Sequence, residues 1–164
     1  MDALSQALDV DPSALLYGVS KKDKEQEFEP VCMIPLLSGS VSAGQFERSF
    51  LEWQGETIPI PWSIANPGEM VAWKVRGCSM EPEYKNGETV VIDKSIGWSS
   101  GDDVIACRNG DDLTIKKIRV FPDGTIELRP YNPDYPVLQV KEEDEVVIYG
   151  VVVSSIRTRK NIKK

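Results

Sequence analysis

Apolar positions in the first part of the chain suit short helices. Leu4, Leu8, Leu15 and Leu16 supply them, Asp11-Pro12 reads as an N-cap followed by proline at the first helical position, and Gly18 reads as a stop. Helices this short do not bury a core by themselves. Residues 19–30 (VSKKDKEQEFEP) are charged, nearly free of apolar side chains and end in proline, the composition of a linker. From Val31 the pattern becomes strand-like. Val31–Leu37 is an apolar run, Met70–Val75 alternates loosely, and Thr89–Ile92 is β-branched. Asn109-Gly110 between Val104–Arg108 and Leu113–Val120 signals a hairpin, as does Asp123-Gly124 before Thr125–Arg129. Val146–Ile156 reads as a long closing strand. The expected fold is mostly β, built of short strands and hairpins behind a short helical N-terminal segment. No long amphipathic helix is expected after residue 18.

Composition narrows the chemistry. The 164 residues contain no histidine, which excludes a Ser-His-Asp triad, a Cys-His pair and imidazole zinc sites. Cys32, Cys78 and Cys107 are odd in number and lack metal-ligand spacing, so no disulfide framework is expected and a reducing cytoplasm fits. The longest apolar run, Val146–Val153, is far short of the ~20 residues of a membrane-spanning helix, and no secretory signal opens the chain. Net charge is −7, unevenly placed. Residues 157–164 hold five basic groups and no acid, while residues 1–156, with 14 basic and 26 acidic groups, carry −12. Such a body is a poor ligand for DNA phosphates, and a short basic tail is more often a solvated terminus than a nucleic-acid contact.

Without histidine, a catalytic base must be a carboxylate or a lysine. The acidic groups Asp102-Asp103, Asp111-Asp112 and Glu142–Glu145 border predicted strands, have no calcium-loop spacing and read as solvated turns. The segment Val75–Pro82 (VRGCSMEP) differs: a strand ends at Gly77, and Ser79 sits where the chain turns. A serine so placed exposes its hydroxyl while nearby backbone N–H groups can face a developing oxyanion, although taken alone it is more often a turn or N-cap residue.

Gly77-Cys78-Ser79-Met80-Glu81-Pro82 resembles the G-x-S-M-x-P nucleophile motif of the LexA-like self-cleaving family, which includes LexA, phage CI-type repressors and UmuD. Leu113–Ile118 (LTIKKI) is similar to the family's T-[VI]-K-[RK]-[LI] strand, and Ile34–Leu37 through Val41–Gly44 to its cleavage region with an Ala-Gly bond. The resemblance covers about residues 31–157. It implies the LexA-like C-terminal catalytic fold, with residues 31–50 as cleavage-site region and 51–164 as self-cleaving and dimerisation domain. Residues 7–18 (ALDVDPSALLYG) resemble the last helix of a Cro/CI-type helix-turn-helix domain, so residues 1–18 are read as the C-terminal remnant of such a domain, and 19–30 as its linker.

The resemblance also assigns roles. Ser79 is the nucleophile, Lys116 the general base, and the backbone N–H groups of Cys78 and Ser79 the oxyanion donors. Ala43-Gly44 is the scissile bond, small enough to enter a tight site as an extended loop, and Val41, two residues earlier and so on the face of Ala43, is expected to anchor the substrate segment in an apolar pocket. Periodicity places Lys116 on one face with Thr114, Ile118 and Val120, and Lys117 on the other with Leu113 and Ile115. It does not choose between the two lysines; the family pattern selects Lys116. The Cys78 side chain is read as a bystander, and Cys32 and Cys107 as small apolar strand residues. No cofactor or metal is expected. Implied partners are a second copy of the chain in a dimer or higher oligomer, a RecA–single-stranded-DNA filament as co-protease during SOS induction, and in some members an antirepressor; operator DNA is reached only through an N-terminal domain. A cytoplasmic protein is implied. The alternative within the family is a UmuD-like accessory subunit of a translesion polymerase. Outside it stand a signal-peptidase-like enzyme and a β module used only for oligomerisation.

Overall fold

A computed structural model describes residues 29–51 and 53–157. The helical and helix-turn-helix reading of residues 1–18 and nearly all of the linker reading lie outside them. In chain order come β1 (Val31–Leu37), α1 (Ala43–Leu51), β2 (Thr57–Pro61), a 3-10 turn (Trp62–Ile64), β3 (Met70–Lys74), β4 (Thr89–Asp93), β5 (Asp103–Arg108), β6 (Thr114–Val120), β7 (Ile126–Arg129), β8 (Leu138–Val140) and β9 (Val146–Ile156). The expected mostly-β fold is what forms.

The nine strands pair in the order β2-β1-β3-β4-β9-β5-β6-β7-β8. Every neighbouring pair is antiparallel except β1 with β3, joined in parallel through Leu36–Ala72 and Leu37–Trp73. The long last strand β9 sits between β4 and β5 and ties the two halves of the sheet together. Its Gly150 is required there: a Cβ would lie 2.7 Å from Ile92 Cγ2 and 3.0 Å from the Asp93 carbonyl oxygen.

Both faces of the central strands are buried, which explains the loose alternation of Met70–Val75. Val71, Trp73, Val90 and Ile92 pack with Ile105 and Ile115 on one side. Met70, Ala72 and Val91 join Ile34 and Ile60 in a second cluster. Val104, Ala106, Ile118 and Leu128 form a third. A strand covered on both sides has no polar face to write into its sequence.

Three elements were not expected. β2 (Thr57-Ile58-Pro59-Ile60-Pro61) carries two prolines and is an edge strand, where a missing N–H is tolerated. β8 has three residues. The nine-residue α1 is short, as the expectation of no long amphipathic helix after residue 18 allows, but it begins at the residue expected to lie in an extended loop. Its start is a capping box: Gln45 N donates to Ser42 Oγ (3.3 Å), and Ser42 N donates to Gln45 Oε1 (3.1 Å). Val41 before the cap and Phe46 in the second turn are buried in the same cluster, the arrangement of a hydrophobic staple.

The turns behave as their residues dictate. Asn109 and Gly110 both take positive φ (53° and 79°), although the connection runs on to Leu113 before β6 begins. Leu113 N donates to the Val41 carbonyl (2.9 Å) and so fastens the segment ahead of α1 beside β6. No helix among the described residues is long and apolar enough to cross a membrane.

Candidate active site

Strand β3 ends at Lys74, and the chain then folds through a compact turn. Val75 N donates to the Glu88 carbonyl (2.7 Å), and Gly87 N to the Val75 carbonyl (2.8 Å), closing the base of the turn. Gly77, at φ +84°, turns the chain in a conformation costly for residues with a Cβ, and its N–H donates to Asn86 Oδ1 (3.0 Å). Met80 is buried beneath, and its carbonyl accepts from Tyr84 N (2.9 Å). Between these anchors Ser79 is half-buried and Cys78 exposed. Neither the Cys78 nor the Ser79 backbone N–H donates to a protein acceptor among the described residues.

β6 brings a lysine to this turn. Lys116 Nζ lies 3.3 Å from Ser79 Oγ, 3.0 Å from Thr114 Oγ1 and 2.9 Å from the Ile115 carbonyl oxygen. All three neighbours are neutral oxygens, and no carboxylate pairs with Lys116 among the described residues. Burial therefore lowers its pKa, because taking the ammonium out of water is not offset by an opposite charge. A neutral amine has two N–H bonds and one lone pair. With Thr114 and Ile115 accepting the two hydrogens, the lone pair is left for the Ser79 hydroxyl. Thr114 had entered the sequence reading only as a neighbour on the face; its hydroxyl orients the amine.

Lys117, one residue on, meets the opposite environment. It lies directly across β5 from Asp103, 3.6 Å from its Oδ1, donates to the Gly101 carbonyl (2.7 Å), and sits 5.0 Å from the Tyr131 ring centre. The Tyr131 hydroxyl, with the Asp103 carboxylate, raises its pKa against the opposing effect of burial. Asp103 also accepts from Tyr84 Oη (2.7 Å) and Tyr131 Oη (3.0 Å). It was read as part of a solvated turn; the structure makes it the shared anchor of β5, β6, the Ser79 turn and the β7–β8 loop. Asp144 likewise departs from a solvated acid run. Its side chain is 3% exposed and paired with Arg108 at 2.8 Å, and the Lys141 backbone N–H followed by that guanidinium hold its pKa at about 2.

Cys78 has its thiol pushed up by the adjacent Glu81 carboxylate, the reverse of what a thiolate nucleophile needs. Cys32 and Cys107 lie within β1 and β5, and all three thiols are free. A residue missed from the sequence is Asn132, in the loop after β7. Its Nδ2 donates to the Cys78 carbonyl (3.0 Å) and its backbone N to the Ser79 carbonyl (3.0 Å). The only sequence signal was the turn-like Pro130-Tyr131-Asn132-Pro133.

A cavity of about 170 Å³ is lined by residues that flank the pair, Gly77, Met80, Thr114 and Ile115, and, from the segment ahead of α1, by Gly39 and Ser40, although Ser79 and Lys116 are not among its lining. Ala43 and Gly44 do not line it. They form the first turn of α1, because Ser42 and Gln45 cap the helix where an extended substrate was expected. Val41 is 2% exposed, held in the hydrophobic core rather than in a pocket at the pair. Among the described residues no group of three or more carboxylates and thiols is placed to hold a metal ion.

The Peptidase S24-like family matches residues 35–153, a span that contains the Ser79 turn, β6 and the Asn132 loop. This chain belongs to that family. The LexA repressor of Delftia acidovorans is 38% identical over 126 residues, covering 76% of this chain and 54% of that protein. The LexA repressor of Paracidovorax citrulli is 32% identical over 126 residues with the same coverage. That of Bordetella avium is 30% identical over 148 residues, covering 86% of this chain and 68% of its own length. The chain spans about half the length of the first two relatives. The S24-like assignment and these likenesses together give a LexA-like peptidase domain.

Proposed function

We propose that this S24-like domain cleaves its own chain between Ala43 and Gly44, with Ser79 as nucleophile and Lys116 as general base. The observation that carries the reading is a lysine 3.3 Å from a serine hydroxyl, with no carboxylate partner among the described residues. Burial favours the neutral amine that a base must be. Neutral Lys116 takes the Ser79 proton as Oγ attacks the Ala43 carbonyl carbon. The unengaged N–H groups of Cys78 and Ser79 are the donors available to the tetrahedral oxyanion. Lys116 then returns the proton to the Gly44 nitrogen, and the C–N bond breaks. Water, deprotonated by the same amine, hydrolyses the Ser79 ester and leaves Ala43 with a free carboxylate.

For this to happen the first turn of α1 must unwind, since the bond lies in a helix and outside the cavity. A co-protease such as a RecA–single-stranded-DNA filament acts, in this reading, by stabilising the unwound segment. The LexA repressor relatives support placing the reaction in a transcriptional repressor of the cytoplasm. There the domain joins copies of the chain, as a dimer or higher oligomer, and self-cleavage separates the joining part from the operator-binding part, ending the avidity of two linked DNA contacts.

The test is incubation of the purified chain at rising pH with products weighed by mass spectrometry. Fragments 1–43 and 44–164 are expected. The rate should climb about tenfold per pH unit and level off at a lysine pKa depressed below its usual value, because deprotonation creates the base. Ser79→Ala should stop the reaction. An intact chain at every pH, and with an activated filament present, overturns the proposal.

A further inference from the structure

We infer that Asn132 is a positioning residue for this reaction: it holds the Ser79 turn so that the Ser79 N–H is aimed where the oxyanion forms. The inference rests on the proposed self-cleavage. Cys78 C=O and Ser79 N–H belong to one planar trans peptide and point in opposite directions. Fixing the carbonyl therefore fixes the N–H. Asn132 Nδ2 binds that carbonyl at 3.0 Å, and Asn132 N binds the carbonyl of the next peptide, Ser79 C=O, at 3.0 Å. Two successive peptide planes of the turn are thus set by one residue more than 50 positions away. The N–H groups of Cys78 and Ser79 are left without a protein acceptor among the described residues.

The arm that does this is itself held firmly. Asn132 Oδ1 accepts from Asp134 N (3.0 Å), and the Asn132 carbonyl accepts from Tyr135 N (3.1 Å), so the loop is folded upon its own asparagine. The preceding Tyr131 donates to Asp103, which also receives the hydroxyl of Tyr84 from the far end of the serine turn. Loop and turn therefore share an anchor at one end and meet directly at the other. Asn132 touches neither Lys116 nor the substrate segment through any hydrogen bond, so its contribution is to geometry. Misplacing reacting groups by about 1 Å costs on the order of 100-fold in rate.

Asn132→Asp separates this role from the folding of the loop. An aspartate keeps the acceptor for Asp134 N but replaces the donor facing the Cys78 carbonyl with an oxygen that repels it. In the full chain, the alkaline plateau of the self-cleavage rate should fall about 10- to 100-fold. The thermal unfolding midpoint should stay within a few degrees, and the upward shift that the new carboxylate gives the pH midpoint should be absent from the uncharged variant that follows. Asn132→Ser, which also keeps an acceptor and adds no charge, guards against a misfolded aspartate variant and should show the same fall in plateau. Wild-type rates in both variants overturn the inference while the Ser79/Lys116 reading stands. So does a shifted pH midpoint with an unchanged plateau, or a rate loss matched by loss of folded protein. A wild-type chain that never cuts, or a Ser79→Ala chain that does, overturns both.

Discussion

Around Ser79, hydrogen bonds bring reacting groups together; around Ala43-Gly44, they hold the proposed substrate bond away from them. Asn132, Asn86 and the Asp103 anchor fix the serine turn, and Thr114 with Ile115 aims the Lys116 amine at its hydroxyl. The Ser42–Gln45 capping box and the Val41/Phe46 pair keep the bond in the first turn of α1. In the proposed reaction, the serine–lysine pair is preorganised and the Ala43-Gly44 bond is sequestered, which would place the regulating barrier in the substrate segment. Under that proposal, such an arrangement would keep the chain whole until something pulls the segment loose.

Breaking the machinery should give the largest effect. Lys116→Ala should slow alkaline self-cleavage about 1,000-fold, the scale of a lost general base, while Lys117→Ala should stay within a few-fold of wild type in the same mass-spectrometric time course. Equal losses in the two variants would erase the distinction drawn between the faces of β6. A smaller effect should follow from the anchor shared by the turn and the β7–β8 loop. Asp103→Asn weakens its charged hydrogen bonds to Tyr84 and Tyr131 and its ion pair with Lys117, and should lower unfolding stability by about 2 kcal/mol in urea titrations. An unchanged urea midpoint would show the network to be idle.

The smallest effect, and the most telling for the comparison, should come from the substrate side. Ser42→Ala removes the helix cap, worth about 1 kcal/mol. If unwinding α1 limits the reaction, the variant should cut itself about five times faster than wild type at equal pH. An unaltered or slower rate would mean that the helix does not gate cleavage.

A turn after Gly77 and an alternating strand at Leu113–Val120 were legible from short-range rules, but it was the resemblance of GCSMEP and LTIKKI to the family's motifs that singled out Ser79 and Lys116. Even so, alternation alone left Lys116 and Lys117 equivalent. What separates them is Asp103 across β5, a long-range pairing that was read as a solvated turn. Asn132 escaped for a similar reason, since it acts on backbone carbonyls 54 and 53 positions earlier and no local pattern announces such a contact. Helix α1 escaped for a different one. Val41-Ser42-Ala43-Gly44-Gln45-Phe46 satisfies two grammars at once: a small-residue cleavage site, and a staple with a capping box. Only the first was read, and the structure realises the second. β2 was missed because its prolines argue against a strand everywhere except at a sheet edge, which is where it lies.

The place of β1 separates cutting from parting. The proposed cut falls after β1, so the N-terminal product keeps a strand that is woven into the other product's sheet. It is paired with β2 through five residues and with β3 through two, and it buries Ile34 and Leu37 in two different clusters. A chain cut there would therefore begin as a nicked but assembled body, its halves separating only when that strand is drawn out. If the proposed cut occurs, the chemical event would be a commitment, and the parting of the two products would come later, on a clock set by strand extraction.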